Sequence, residues 1–431
     1  MRLQSFTRPV TGGRVALVAT AAVAALAVTA AAAPVEADDG HGHGHQGTQT
    51  VRFATFNASL NRSAAGQLTA DLSAPGNAQA DAVAEIIQRV RPDVLLVNEF
   101  DYVEPVTPGD VTSNPAVDGF RENYLGVPHG DALPIEYPYA YVAPSNTGIP
   151  SGFDLNNDGV VGGADDAYGF GFYPGQFGML VLSRYPIDYR RVRTFQNFRW
   201  ADMPGAKLPD DPATPAPADW YGPDELAAFR LSSKSHWDVP IRIDGERVHF
   251  LVSHPTPPVF DGPEDRNGTR NFDEIRFWAD YVSSPRAGRY IYDDDGRRGG
   301  LRPRASFVIA GDQNSDPLDG DSIPGSIDQL LDLRVVNTRV TPASDGAVEA
   351  TDLQGGANAT HRSDPRFDTA DFADNAPGNL RADYVLPSRD LRIRDAGVFW
   401  PVSADPLAAL TGTFPFPSSD HRLVWVDVRV S

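Results

Sequence analysis

Ser306-Phe307-Val308-Ile309-Ala310-Gly311-Asp312-Gln313-Asn314 is the stretch on which the reading of the fold turns. Its first half has the length and apolar character of a buried strand. Its second half puts an acid and an amide at that strand's C-terminal tip. Upstream, Val51–Phe56 is a short β-prone run ending in Asn57, and Val94–Val97 is apolar on both sides and ends in Asn98-Glu99. Between these runs Val83, Ile86, Ile87 and Val90 share one face of a helix predicted over residues 77–91, which Pro92 stops. Strand, helix and strand in this order predict an α/β sandwich.

Further segments extend the pattern. Phe177–Leu182 reads as a strand ending in Ser183-Arg184. Trp237–Ile243 and Arg247–Val252 read as a hairpin across Asp244-Gly245, the second strand ending in Ser253-His254. From about Asn271, the residues Ile275, Trp278, Ala279 and Val282 predict a helix closed by Pro285. Asp383–Leu386 is a short strand, and a final strand runs from about His421 with valines alternating from Val424 to Val430. Residues 104–175, 201–224 and 341–380 are rich in turn formers and are expected to be loops, the first a long insertion. Polar strand tips recur through the whole length. One domain over residues 50–431 is therefore expected.

Composition narrows the function. A chain of 431 residues can bury a large core. Its formal net charge of −20 repels polyanions, which argues against groove binding to DNA by charge alone. With no cysteine there is no disulfide, zinc–thiolate site or thiol nucleophile. Residues 1–37 read as an export signal. Arg2, Arg8 and Arg14 precede an alanine-rich apolar stretch from Val15 to Ala33, and Val35-Glu36-Ala37 offers a cleavage site. A membrane anchor is the alternative reading of that stretch. Its removal takes away three arginines and one glutamate, leaving a secreted protein at −22. Residues 38–49, with His41, His43 and His45, read as a flexible terminus. No later segment is apolar enough to span a bilayer, and a monomer is expected.

Each strand tip alone has an ordinary structural explanation. Together Phe56-Asn57, Asn98-Glu99, Ser253-His254-Pro255, Gly311-Asp312-Gln313-Asn314, Asp383-Tyr384 and Ser419-Asp420-His421 carry a signal. In this order, the chain resembles the endonuclease/exonuclease/phosphatase superfamily. The resemblance implies a four-layer α/β sandwich, two face-to-face mixed sheets with helices outside and long loop insertions. It implies metal-assisted attack of water on phosphate mono- or diesters. Asn57 and Glu99 match the metal-site positions. Asp312 is implied to orient or deprotonate water. His421 is implied to bind phosphate or act as acid/base, held by Asp420. His254 matches a position near the scissile phosphate, and Asp383 an acid that orients the histidine. Asn98 stands where Gln often precedes the metal-binding Glu.

Elementary chemistry points the same way. A hard cation, Mg2+ or Mn2+ or alternatively Ca2+, takes carboxylate and amide oxygens such as those of Glu99 and Asn57. Asp312 and His421 are candidates for the base, and Asn314 can donate an amide N–H to phosphoryl oxygens. Arg266 and Arg270, after a proline-rich loop, are candidates for a phosphate clamp; ion pairs with Glu264, Asp265 or Asp273 are the alternative.

A second motif lies in the first insertion. Asp154, Asn156 and Asp158 at alternate positions, then Gly159, the Val160 carbonyl and Asp165, fit a structural Ca2+ loop resembling the dockerin and EF-hand type. Three functions remain in play. They are a phosphoesterase on small organic phosphates or phospholipid headgroups, an extracellular nuclease meeting nucleic acid only as substrate, and a non-enzymatic calcium-stabilised binding module.

Overall fold

Runs that are apolar on both faces become interior strands of two different sheets. The computed structural model describes residues 49–107 and 109–430. The export signal and residues 38–48 of the histidine-bearing terminus lie outside the described residues. The first sheet has, in spatial order, Arg392–Val398 (β12), Val424–Val430 (β13), Gln49–Asn57 (β1), Val94–Asn98 (β2), Met179–Ser183 (β4) and Tyr139–Tyr141 (β3). The second has Asp383–Pro387 (β11), Ser306–Asp312 (β8), Glu246–Ser253 (β7), His236–Ile243 (β6) and Arg193–Thr194 (β5). A small pair, Ala370–Asp371 (β9) and Asn379–Leu380 (β10), stands apart. Among the described residues no helix is long and apolar enough to cross a membrane.

Strand alternation sorts the side chains into layers. Val51 and Phe53 of β1 face Phe250, Val252, Val308 and Ala310 of the other sheet in one buried cluster. The Phe53 and Phe250 rings lie 5.6 Å apart across the two sheets. The opposite face of β1, with Ala54 and Phe56, packs on Val83, Ile86, Ile87 and Val90 of the helix Ala78–Val90. On the far side Phe307 and Ile309 of β8 pack on Ile275, Phe277 and Trp278 of the helix Arg266–Ser283. The result is helix, sheet, sheet, helix.

Both sheets are mixed, and each contains one parallel pair. β1 runs parallel to β2, and β7 parallel to β8. A parallel pair needs a crossover, and the two long helices supply them. The remaining partners run antiparallel, so polar residues at the starts of β11 and β13 meet the ends of β8 and β1. Asp383 pairs directly with Asp312, and Asn57 with Asn98. This topology collects distant tips on one rim.

Most of the expected elements form. Asn77 caps its helix by accepting from Ala80 N at 3.0 Å, and Asp244-Gly245 turns the β6–β7 hairpin with φ of 49° and 90°. Three expectations need correction. The second helix begins at Arg266, not near Asn271. Its first residues are polar yet buried, Asn271 Nδ2 donating to Thr256 O and Gln313 O at 2.9 Å, so no apolar stripe announces them. The 104–175 insertion is not all loop: it carries the edge strand β3 and the helix Pro115–Phe120, whose Phe120 enters the core. The 341–380 segment likewise holds the helix Asp345–Gln354, which buries only Gly346 and Ala347 and so shows no amphipathic pattern.

Gly311 sits where β8 meets the rim, with φ of 150°, and a Cβ there would lie 2.0 Å from the Ser253 carbonyl oxygen. Gly311→Ala is expected to destabilise the protein by about 2 kcal/mol or more, read from the midpoint of urea unfolding. An unchanged midpoint would contradict this packing.

Candidate active site

One carboxylate organises the rim. Asp312, buried at the tip of β8, accepts from Asn57 Nδ2 at 3.1 Å and from Asn314 N at 2.8 Å. The Nε2 atoms of His254 and His421 lie 3.3 Å and 3.6 Å from its Oδ2. The other ring nitrogen of His421, Nδ1, donates to Asp383 Oδ2 at 2.8 Å. Thr369 Oγ1 also donates to that oxygen, at 2.9 Å, while accepting from the Asp383 and Ala382 amides. Asp383, His421 and Asp312 therefore form an Asp–His–Asp relay whose outer acid is held by the Thr369 hydroxyl, itself anchored by two backbone amides. It is the sole cluster among the described residues that brings three His, Asp or Glu ligand atoms within 4.8 Å of one another. Within it Asp383 and His421 are hydrogen-bonded, and His421 Nε2 approaches Asp312 at 3.6 Å.

The oxygen donors for a cation stand beside it. Asn57 Nδ2 donates to Glu99 Oε1 at 3.2 Å as well as to Asp312, and Asn61 Nδ2 donates to Glu99 Oε2 at 2.8 Å. Glu99 takes a left-handed backbone, φ 58°, which turns its side chain off the end of β2. Its carboxyl is pushed up by burial and then by the charge of Asp420. Two acids facing one another in this way suit a divalent ion, which would reverse the second effect.

Electrostatics divides the two histidines. Burial would lower His421, but the carboxylates of Asp383 and Asp312 outweigh it and hold the imidazolium well above the ordinary histidine range. His254 goes the other way, driven well down by burial and then by Lys234 and His421. Asp312 is pushed up to about 6 by burial, against the pull of His421. The rim thus holds an anion, a cation and a neutral imidazole within contact distance at neutral pH.

The structure brings Asn57, Glu99, His254, Asp312, Asn314, Asp383, Asp420 and His421 to the rim. It corrects one role. His421 is held by Asp383, and Asp420 instead accepts from Ser59 Oγ at 3.3 Å and faces Glu99. The reason is topological, because β11 places Asp383 directly opposite Asp312. Asn314 Nδ2 donates to Pro255 O at 3.1 Å, which leaves its second amide hydrogen for a ligand. The arginines stand off from the relay. Arg266 pairs with Glu264, and Arg270 is buried with Nε and Nη2 donating to the carbonyls of Leu231, Tyr168 and Arg230. Both line a cavity of about 630 Å³ that opens beside Glu99 and His254.

The insertion's motif folds as a tight loop. Asp154 accepts from Asp158 N at 3.1 Å and Gly159 N at 2.8 Å, Asn156 from Asp158 N at 3.1 Å, and Asp158 from Val160 N at 2.8 Å. Asp166, next to the expected closing residue, ties its ends by accepting from Leu155 N and Gly162 N at 2.7 Å. Asp165 is exposed and lines the cavity.

Two residues gain importance from the structure. Lys234 lines the cavity in a buried position, and nothing in Ser232-Ser233-Lys234-Ser235 marks it except that lysine is otherwise found only at 207. Asn98 joins the two sheets. Its Oδ1 accepts from Thr55 Oγ1 at 3.2 Å and from Asp312 N at 3.3 Å, and its Nδ2 donates to Ser253 O at 3.5 Å. Asn98→Ala leaves the Asp312 amide unpaired, so a loss of about 1–3 kcal/mol in stability is expected. Because the same amide positions the Asp312 carboxylate, activity is expected to fall by a larger factor than the loss of folded protein explains. Activity per folded molecule equal to wild type would refute that coupling.

The family model described as Endonuclease/Exonuclease/phosphatase family matches residues 54–421. Comparison with curated proteins gives no match. Among solved structures the chain is similar to an endonuclease/exonuclease/phosphatase from Beutenbergia cavernae DSM 12333, at 16% identity and a TM-score of 0.46, covering 89% of this chain and 72% of that one. It is also similar to sphingomyelinase C from Streptomyces griseocarneus, at 16% identity and a TM-score of 0.42, covering 88% and 99%. A third is the mannosyl-6-phosphatase of Bacteroides thetaiotaomicron VPI-5482, at 12% identity and 0.41, covering 88% and 99%. The family match runs from β1 to the relay histidine and encloses every rim residue, and the chain belongs to the endonuclease/exonuclease/phosphatase family.

Proposed function

We propose that this chain is a secreted, divalent-metal-dependent hydrolase of phosphate mono- or diesters, and that the relay Asp383–His421–Asp312 performs its proton chemistry. The observation that carries the reading is that Asn57 Nδ2 bridges Asp312 of this relay and the carboxylate of Glu99. Glu99 and Asn57 would hold Mg2+ or Mn2+, or alternatively Ca2+, with Asp420 facing Glu99. Such an ion neutralises the phosphoryl oxygens and the leaving group.

The chain's own residues do the rest. Asp312, anionic at neutral pH, orients the attacking water and takes its proton. His421, cationic between two carboxylates, donates from Nε2 to a phosphoryl oxygen. Asp383 keeps that proton in place by accepting from Nδ1. Asn314 offers an amide hydrogen to the same phosphoryl group. His254, neutral, completes the wall opposite.

Asp312→Asn and His421→Ala are each expected to lower kcat on bis-p-nitrophenyl phosphate and its monoester by about 100- to 10,000-fold. If wild type and variants are equally inert with every metal, the enzymatic reading fails. Equal activity would sink the residue assignment. Asp383→Asn removes a charge that raises the His421 pKa. The alkaline limb of its kcat/KM profile should therefore move to lower pH, and an unmoved limb would detach Asp383 from the histidine.

The reading includes export through residues 1–37, one catalytic domain over 50–431 and a structural Ca2+ in the Asp154–Asp165 loop. The inward-turned oxygens of Asp154, Asn156 and Asp158 support the last. Calcium is expected to raise the melting temperature of wild type by a few degrees, about 1–3 kcal/mol of linkage, and not that of Asp158→Ala. Identical responses of the two proteins would remove the loop from the calcium assignment.

A further inference from the structure

We propose that Lys234 anchors the phosphoryl group and that the adjoining cavity receives an apolar organic group of the substrate, which is therefore a small aryl or alkyl phosphoester and not a nucleic-acid strand. This rests on the phosphoester-hydrolase reading and adds the substrate class to it.

Lys234 is 7% exposed, and its ammonium makes no hydrogen bond or ion pair among the described residues. The carboxylates facing it, Glu274, Glu99 and Asp312, act on it by charge across space. Glu274 does not close on it, because its two oxygens accept from Ser233 N and Thr256 N at 2.6 Å. Arg270 opposes its charge, and Lys234 and His421 both act on His254. A largely buried ammonium with no anion in contact gains from a ligand that completes it. The neighbouring arginines cannot take that role as they stand, since Arg266 pairs with Glu264 and Arg270 with backbone carbonyls. Lys234 is thus the cation left available beside Glu99 and His254.

The cavity says what accompanies the phosphate. Phe177, Tyr221, Phe229 and Val259 line it, with Phe170 and Phe260 at 50% and 86% exposure completing the apolar wall. A volume of about 630 Å³ matches a small-molecule site. A strand-binding groove would need a run of cations along which successive phosphates lie, with bases stacked at intervals. Here one free ammonium stands at one place, in a chain of net charge −20.

Hexyl phosphate and glycerol 3-phosphate share an alkoxide leaving group and differ in polarity, so they isolate the cavity's contribution. Wild type is expected to favour hexyl phosphate by about 10- to 100-fold in kcat/KM. Preference for phospholipid vesicles over hexyl phosphate would support the same apolar recognition, with a lipid as its source. Equal rates on the two alkyl esters, or preference for a thymidine oligonucleotide, would overturn it. Lys234→Met is expected to raise the inhibition constant of inorganic phosphate at least about tenfold and to lower kcat/KM on every ester about 100-fold. Lys234→Arg, which keeps the charge, should recover part of both, and Lys234→Gln serves as the neutral variant if the methionine variant fails to fold. Unchanged phosphate inhibition in whichever neutral variant folds overturns the anchor. If His421→Ala is dead while Lys234 variants match wild type, this inference fails and the hydrolase reading stands. If wild type cleaves no ester, the hydrolase reading fails and takes the inference with it.

Discussion

The rim exists because two separate sheets end at the same place, and one buried amide holds them there. Asn98 belongs to the first sheet, yet its side-chain oxygen takes the backbone amide of Asp312 in the second. Its amide reaches the Ser253 carbonyl, one residue before His254. A polar side chain buried between sheets is tolerated only when its hydrogen bonds are met. Here they are met by the very residues whose positions matter for chemistry. Asn57, on the neighbouring strand, repeats the device by giving one nitrogen to carboxylates from both sheets. A slip of one sheet against the other would break these bonds and displace Asp312 from Glu99 together.

Charge at the rim is unbalanced in a way that explains its contents. Glu99, Asp312, Asp383 and Asp420 are acids, while His421 and Lys234 are the cations near them. Burial raises Glu99 and Asp312, and His421 is held protonated by its two acids. The Asp383–His421 half is satisfied internally by a direct hydrogen bond. Among the described residues the Glu99–Asp420 half makes no ion pair with a protein cation, and a divalent ion bound there would relieve the repulsion. The acidic surface of the chain is therefore no obstacle to binding an anion, because the positive groups are local and desolvated.

Much of this was legible in the chain before any fold was known. Tips such as Asn57, Glu99 and Asp312 stand out because each follows a buried run, and the run's apolarity on both faces already implies a strand covered twice. The crossover helix at Ala78–Val90 shows its stripe for the same reason. What escaped detection shares a physical cause. Polar residues buried against other polar residues leave no periodic pattern, as at Arg266–Asn271 and Lys234. β12 is interrupted by an irregularity between Ile393 and Asp395, which breaks its alternation. The resemblance implied that Asp420 holds His421 and that Asp383 orients it; the antiparallel pairing of β11 with β8 leaves Asp383 as the acid in contact.

Among the described residues several buried polar atoms lack a hydrogen-bond partner, some of them near the rim. His254 Nδ1, Thr256 Oγ1, Asn271 Oδ1, Gln313 Oε1, Ser315 Oγ and Asp383 Oδ1 are among them. Each such atom costs about 1–3 kcal/mol relative to a satisfied one. Their neighbours in the sequence are the residues that bear the chemistry: His254 and Thr256 flank the proline turn, and Gln313 and Ser315 surround Asn314. A framework optimised for stability alone would pair or replace these groups. Of these residues His254 and Thr256 line the cavity, and the others belong to the framework that holds the rim, where unmet hydrogen bonding accompanies the placing of polar groups for chemistry.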